Sequence, residues 1–112
     1  ITHFNKKNGF ISVSGRSIEV DSTQFWLSLK RRLIRHTKNS TAITSIRFQM
    51  DYLTSSSFIE LLEFLEFSKS IPQYGNGLEV EWLYEEGDED ILELGNCIHD
   101  TLGLPVKCVQ MN

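Results

Sequence analysis

Apolar and polar residues recur along this chain at two different spacings, and each spacing predicts a different type of element. A period of two is typical of strands, because successive side chains of a strand point to opposite faces of the sheet. This period occurs in four stretches, Phe10–Val13, Ser17–Val20, Ile43–Met50 and Leu78–Tyr84. A turn signal, Ser14-Gly15-Arg16, separates the first two stretches, which predicts an antiparallel β-hairpin.

Apolar residues spaced three and four positions apart predict three amphipathic helices. The first spans Thr23–His36, the second spans Phe58–Ser68, and the third begins at Asp88 and ends at Gly103. The residues expected on their buried faces are Trp26, Leu29 and Leu33, then Phe58, Ile59, Leu61, Leu62, Leu65 and Phe67, then Ile91, Leu94, Ile98 and Leu102. A last strand is predicted over Pro105–Met111.

The predicted element order is ββαβαβαβ, the pattern of an α/β fold. Strands separated by helices of this length usually pair in parallel, joined by right-handed crossovers. We therefore expect a mixed five-stranded sheet with three main helices, in which the first hairpin is antiparallel. At 112 residues the chain has room for one hydrophobic core, so residues 1–112 are expected to form a single domain. Trp82, which shares a strand face with Val80 and Tyr84, is expected in that core.

The composition narrows the functional classes. The net charge of −4 and the pI near 5.3 disfavour nonspecific nucleic-acid binding, which needs cationic side chains that neutralise phosphates. No apolar run approaches the roughly 20 residues of a membrane span, and no secretory signal is recognisable, so a cytoplasmic location is expected. Cys97 and Cys108 lack metal-binding spacing, and we expect two small buried thiols rather than a disulfide.

Four consecutive hydroxyl residues, Thr54–Ser57, stand where a predicted strand ends and the second helix begins. A helix N-terminus leaves backbone N–H groups unpaired and carries partial positive charge, so it tolerates an anion. Ser57 and Glu60 fit a capping box, which predicts Ser57 as the N-cap. The three hydroxyl residues before it are then left over in an exposed loop, where a hydroxyl is a candidate for reversible phosphorylation. Capping alone and phosphorylation both account for the stretch at this point.

The chain also carries three longer motifs, which are Tyr52–Ser56 followed by Ile59–Leu62, Val80–Tyr84 followed by Asp88–Gly95, and Leu102–Val106. Together they resemble the SiaC family of bacterial regulatory phosphoproteins, over nearly the whole chain and most weakly in its first region. The family resemblance implies a fold similar to STAS domains, the domains of anti-sigma-factor antagonists. Leu53 stands where the family pattern usually has Asn before the Thr.

The resemblance implies a cytosolic, non-enzymatic partner-switching protein without a cofactor. In the family the Thr of the first motif is phosphorylated, which carries over to Thr54, with Ser55 as the second choice. The implied partners are a protein kinase, a metal-dependent protein phosphatase and a diguanylate cyclase. The unphosphorylated form is expected to bind and activate the cyclase, which raises cyclic di-GMP and controls biofilm formation and aggregation. Thr54, Ser55, Ser56 and Phe58 are expected to contact the partner.

Two charged clusters leave other functions open. Acidic residues of the run Glu85–Asp90 complement a helix dipole, but clustered carboxylates can also hold Mg²⁺. A small α/β metal-binding or enzymatic domain that uses Asp88–Asp90 is therefore a second hypothesis, although no catalytic motif is recognisable. A third is a STAS-like interaction module that is never phosphorylated. The basic run Lys30–Lys38 is either a solvated helix face or a docking face for an acidic partner.

Overall fold

Strands and helices alternate along the computed structural model, which describes residues 2–5, 10–17, 22–39, 45–71 and 78–111. The strands are β1 (Thr2–Asn5), β2 (Phe10–Ser17), β3 (Ser45–Leu53), β4 (Glu79–Glu85) and β5 (Val106–Met111). The helices are α1 (Ser22–Asn39), α2 (Ser55–Ser70) and α3 (Glu89–Leu102). This order agrees with the predicted ββαβαβαβ pattern.

The strands form one sheet in the order β1-β2-β3-β4-β5. β1 pairs antiparallel with β2, and the strands from β2 to β5 pair in parallel. Because each crossover leads to the next strand in the same direction, right-handed connections place α1, α2 and α3 on one face of the sheet. Trp26 of α1 accordingly lies against Phe48 of β3, and the Ile91 carbonyl of α3 accepts a hydrogen bond from Trp82 of β4. The α/β class, with three helices and a parallel sheet, is confirmed.

The core lies between these helices and the sheet face that they cover. Ile46 and Phe48 on β3 are fully buried and pair in register with Val80 and Trp82 on β4, which are also fully buried. The Phe48 and Trp82 ring centroids are 5.7 Å apart. Neighbouring residues on both strands, such as Arg47, are more exposed. The period-two pattern therefore reflects a sheet covered by helices on one side, and the prediction that Trp82 is a core residue is confirmed.

The first hairpin differs from the prediction. Gly15 and Arg16 do not form a turn, but lie inside β2, where Gly15 is opposite Met50 and Arg16 is opposite Tyr52 of β3. The register shifts between Gly15 and Arg16, as in a β-bulge, so the glycine marks an irregularity within a strand instead of its end. The antiparallel partner of β2 is β1, and residues 18–20 of the predicted second strand lie outside the described residues.

The helix ends agree with the sequence in part. Asp88 caps α3, and Gly103 follows its last residue with a φ of 70°, the left-handed conformation that glycine adopts without strain, so both predicted ends are confirmed. α2 begins at Ser55, three residues earlier than predicted, and Ile59 is 56 % exposed instead of buried. Both cysteines are free and half-buried, whereas the sequence predicted buried thiols. None of the described helices is long and apolar enough to cross a membrane.

Candidate functional site

Thr54 links the end of β3 to the start of α2 and caps the helix. Its backbone is extended, with φ −73° and ψ 160°, and its Oγ1 accepts a hydrogen bond from the Ser57 backbone N–H at 3.1 Å. That bond satisfies one of the N–H groups that every helix leaves unpaired at its N-terminus. The Thr54 carbonyl accepts the first helical bond, from the Phe58 N–H at 2.9 Å. The N-cap is therefore Thr54, three residues before the predicted one.

Ser57 has a different role from the predicted cap. It is fully buried, and its Oγ accepts a hydrogen bond from the indole Nε1–H of Trp26 on α1 at 3.4 Å. The prediction that Ser57 caps α2 is wrong, because Thr54 is the cap and the Ser57 hydroxyl is hydrogen-bonded to Trp26 on α1. Sequence spacing cannot distinguish the two arrangements, since both Thr54 and Ser57 are hydroxyl residues that precede the apolar face of α2.

The predicted site residues differ in their exposure. Ser55 and Ser56 are exposed, whereas Thr54 is half-buried, so the predicted exposed loop is in fact a cap and the first turn of α2. The hydroxyl oxygens of Thr54 and Ser56 lie 3.4 Å apart. Phe58 is only 8 % exposed and belongs to the core, so it presents little surface to a partner in this conformation. The neighbouring residue Ile59 is exposed and presents much more of its side chain to solvent.

A groove of about 420 Å³ opens between α1 and α2 beside this turn. The residues that line it are Trp26, Leu27, Lys30, Ser56, Ile59, Glu60 and Glu63. Leu27 is 38 % exposed, and together with Ile59 it gives the groove apolar surface that is open to solvent. This groove was not predicted from the sequence. The available signal was Leu27, an apolar residue next to the buried stripe of α1 but not part of it.

Charged side chains of both signs border the groove. Lys30 lines it from α1, and its Nζ lies 5.7 Å from the centroid of the Phe67 ring, within the range of a cation–π contact. Glu60 and Glu63 line it from α2. The groove is thus lined by apolar residues together with a cation from α1 and carboxylates from α2, a composition suited to contact with another protein.

The acidic run Glu85–Asp90 leaves the sheet at the same edge as Thr54, because β3 and β4 are parallel. Within this run, the Asp88 carboxylate accepts a hydrogen bond from the Ile91 N–H at 3.2 Å, and the first turn of α3 contains Glu89 and Asp90. These acids complement the helix dipole. Among the described residues, no group of three or more His, Cys, Asp or Glu side chains is arranged to hold a metal ion. This geometry gives the metal-binding hypothesis no support.

The parallel sheet, the capping hydroxyl and the adjacent apolar groove define a small α/β protein with a surface suited to protein interaction. The chain belongs to the SiaC family of regulatory phosphoproteins, whose family model matches residues 2–111. The predicted family resemblance is therefore confirmed. A comparison with curated proteins found no match.

Three solved structures from Pseudomonas aeruginosa share the fold at 16 % sequence identity. One is the crystal structure of the diguanylate cyclase SiaD in complex with its activator SiaC, with a TM-score of 0.73 over 98 % of this chain and 90 % of the matched chain. Another is apo-SiaC, with a TM-score of 0.69 over 96 % and 87 % of the two chains. A further SiaC structure has a TM-score of 0.70 over 96 % and 86 %.

Proposed function

We propose that this chain is a non-enzymatic, cytoplasmic partner-switching protein controlled by reversible phosphorylation of Thr54. The observation that carries the proposal is the position of the Thr54 hydroxyl, at the N-cap of α2 and 3.4 Å from a serine that lines an apolar groove. Membership of a family of regulatory phosphoproteins supports a modified hydroxyl. We also propose that residues 1–112 act as one STAS-like domain.

The proposed target is a diguanylate cyclase, which the unphosphorylated form binds and activates to raise cyclic di-GMP. Support comes from the shared fold with a structure in which SiaC is the activator of SiaD. The groove beside Thr54 is the surface that we propose the partner covers, because Leu27 and Ile59 expose apolar area there. Ser56 lines this groove, Ser55 is the exposed residue before it, and we propose that both contribute polar contacts.

The chemistry at Thr54 is a phosphoryl transfer in each direction. A kinase transfers the γ-phosphoryl group of ATP to Thr54 Oγ1, which forms a P–O bond, releases ADP and loses the hydroxyl proton to a base of the kinase. A metal-dependent phosphatase directs water to the phosphorus, which restores the hydroxyl and releases inorganic phosphate. Ser55 is the second candidate acceptor because it is more exposed than Thr54, although it does not hold the cap.

The proposed switch is electrostatic. A phosphate adds about −1.5 to −2 charges and three strong acceptor oxygens. At the N-terminus of α2 the helix dipole favours that charge, so the fold tolerates it. We propose that neither Lys30, which lies over the Phe67 ring, nor the partner pairs with the phosphate, so that covering the groove would bury an unpaired charge, which is costly. Phosphorylation therefore releases the partner without unfolding the protein.

The test combines mass measurement with a cyclase assay. Protein isolated from its own host should carry one phosphate that maps to Thr54 and that phosphatase treatment removes. Thr54→Ala should abolish the mass increase. Thr101→Ala replaces an exposed threonine on α3 and is the matched control, which should retain the mass increase. The unphosphorylated chain should raise the rate of cyclic di-GMP synthesis by a purified diguanylate cyclase of the same organism. Full phosphorylation of Thr54→Ala, or no effect on any such cyclase, would contradict the proposal.

A further inference from the structure

We propose that Ser57 and Trp26 form an internal relay through which phosphorylation of Thr54 alters the groove between α1 and α2. The inference rests on the proposed function and concerns how the modification is transmitted inside the protein. Ser57 is fully buried and Trp26 is 2 % exposed, so both make most of their contacts inside the protein, although Trp26 also forms part of the groove wall. Both act as positioning residues.

Ser57 connects the cap to α1 through two different groups. Its backbone N–H donates to Thr54 Oγ1 at 3.1 Å, and its side-chain Oγ accepts from Trp26 Nε1–H at 3.4 Å. A displacement of the Ser57 backbone therefore moves Ser57 Oγ, the atom that accepts the hydrogen bond from the indole N–H of Trp26. The relay joins the atom that is modified to a side chain 28 positions earlier in the sequence, on a different helix.

Trp26 is placed to pass such a displacement to the groove. Its ring centroid lies 5.8 Å from that of Phe64 on α2 and 6.5 Å from that of Phe48 on β3, and it meets Phe25 edge-on at 5.0 Å. Trp26 also lines the groove. Phe48 and Phe64 close the core side of the indole, and packed interiors have few voids, so a shift of the indole is expected to change the wall of the open groove.

Phosphorylation changes the acceptor that Ser57 binds. The Oγ1 atom becomes an ester oxygen, and the terminal phosphate oxygens are charged and stronger hydrogen-bond acceptors. The Ser57 N–H is expected to turn toward one of them, which re-positions the first turn of α2. The Ser57–Trp26 distance of 3.4 Å is long for an N–H···O bond, whose usual range is about 2.7–3.2 Å, so a small displacement makes or breaks it.

The two indole N–H groups provide the experimental readout. Trp26 Nε1–H reports the relay, while Trp82 Nε1–H, which donates to the Ile91 carbonyl at 2.7 Å, is an internal control from another part of the core. The full chain is labelled with ¹⁵N and compared with the same chain carrying phosphothreonine at position 54, installed by protein semisynthesis. We expect the Trp26 indole resonance to move on phosphorylation and the Trp82 resonance to stay in place.

Ser57→Ala tests whether the serine hydroxyl is needed. In this variant the Trp26 resonance should respond no more than that of Trp82 when Thr54 is phosphorylated. The ratio between the dissociation constants of the phosphorylated and unphosphorylated forms for the purified cyclase should also fall, by roughly 2- to 30-fold, the range reported for residues that couple two sites. Trp26→Phe, which keeps a ring but loses the N–H, should lower the ratio in the same way if Ser57→Ala does not fold.

The relay and the proposed function fail in different ways. An unmoved Trp26 resonance in the wild-type chain bearing installed phosphothreonine would overturn the relay, whatever the kinase or cyclase does. An unchanged ratio of dissociation constants in both variants would overturn it as well. Failure of a kinase to modify Thr54, or of every cyclase to bind, would overturn the proposed function, because the installed phosphothreonine makes the spectra independent of both proteins.

Discussion

Gly95 on α3 lies directly against the indole ring of Trp82 on β4. A Cβ atom added at Gly95 would stand 2.6 Å from Cδ1 and 2.9 Å from Cγ of Trp82, closer than real Cβ contacts. The indole cannot retreat easily, because Trp82 is fully buried and its Nε1–H donates to the Ile91 carbonyl of α3 at 2.7 Å. Glycine at this position therefore lets α3 pack closely on the sheet.

Gly95→Ala should destabilise the protein by about 1–3 kcal/mol, the usual cost of overpacking a core. The direction of this change is informative, because replacing an exposed helical glycine by alanine normally stabilises a protein by roughly 0.5–1 kcal/mol. Asn96→Ala, one position along the same helix and exposed, is the matched control and should change stability by less than about 0.5 kcal/mol. Urea unfolding measures both, and a more stable Gly95→Ala would show that Trp82 does not constrain this helix.

Trp82→Phe separates the hydrogen bond of Trp82 from its bulk. The substitution removes the indole donor but leaves the Ile91 carbonyl within the backbone bonding of α3, and it opens a small void, so a loss of about 0.5–1.5 kcal/mol is expected for the lost hydrogen bond. Trp82→Ala should cost more, about 3–5 kcal/mol, because the whole indole ring is removed from a packed site. Denaturant unfolding of both variants gives the comparison, and a loss below about 1 kcal/mol for Trp82→Ala would contradict the buried position.

Local signals predicted the ends of α3 well and the start of α2 poorly. Asp88 and Gly103 form hydrogen bonds with backbone groups three and four residues away, so residue type and spacing were enough to predict both ends. At α2 the same rule selected Ser57, through its spacing to Glu60, whereas Thr54 is the cap and the Ser57 hydroxyl accepts a hydrogen bond from Trp26, which is distant in sequence. A tertiary hydrogen bond of this kind leaves no local pattern.

Non-local pairing also explains the misplaced hairpin. Gly15 is a typical turn residue, but parallel pairing of β2 with β3 carries the strand through it at the cost of a register shift. The groove escaped prediction for a related reason. Leu27 and Ile59 come from different helices, and only the packing of α1 against α2 brings them together beside Ser56.

The thiol of Cys108 should make stability depend on pH in the alkaline range. Burial raises the pKa of the Cys108 thiol above its ordinary value, because desolvation disfavours the thiolate. The unfolded chain then loses this proton at a lower pH than the folded protein. The contribution is fully present below the unfolded pKa, near 8.5, and is lost as pH rises through the folded pKa.

Urea unfolding at pH 7 and at pH 10 would measure this loss for the wild type and for Cys108→Val, which has no thiol at that position. The wild type should lose more stability between the two pH values than Cys108→Val does. Cys97→Ala controls for the removal of a cysteine elsewhere and should retain the Cys108 contribution. Equal losses in the wild type and Cys108→Val would show that burial does not perturb this thiol.

Because Thr54 is itself the cap of α2, substitutions there should separate stability from signalling. Thr54→Ala removes the acceptor for the Ser57 N–H and should cost about 1 kcal/mol, within a usual range of roughly 0.5–2 kcal/mol.

Thr54→Asp keeps an acceptor of equal or better capping ability and adds a charge that the helix dipole favours. Its unfolding temperature should therefore stay close to that of the wild type, whereas its activation of the cyclase should be weaker, since a carboxylate now stands beside the groove. Aspartate carries one charge and two oxygens where phosphate carries more, so the expected loss is smaller than that caused by phosphorylation.

Asn96→Asp adds the same charge at an exposed position on α3 and should leave cyclase activation unchanged. Thermal unfolding and the rate of cyclic di-GMP synthesis would be measured for each protein. Wild-type activation by Thr54→Asp together with wild-type stability of Thr54→Ala would mean that the Thr54 hydroxyl neither caps α2 nor controls the interface. Reduced activation by Thr54→Asp with an unchanged unfolding temperature would instead place the effect of the charge at the binding surface, because the fold itself would be shown to accept it.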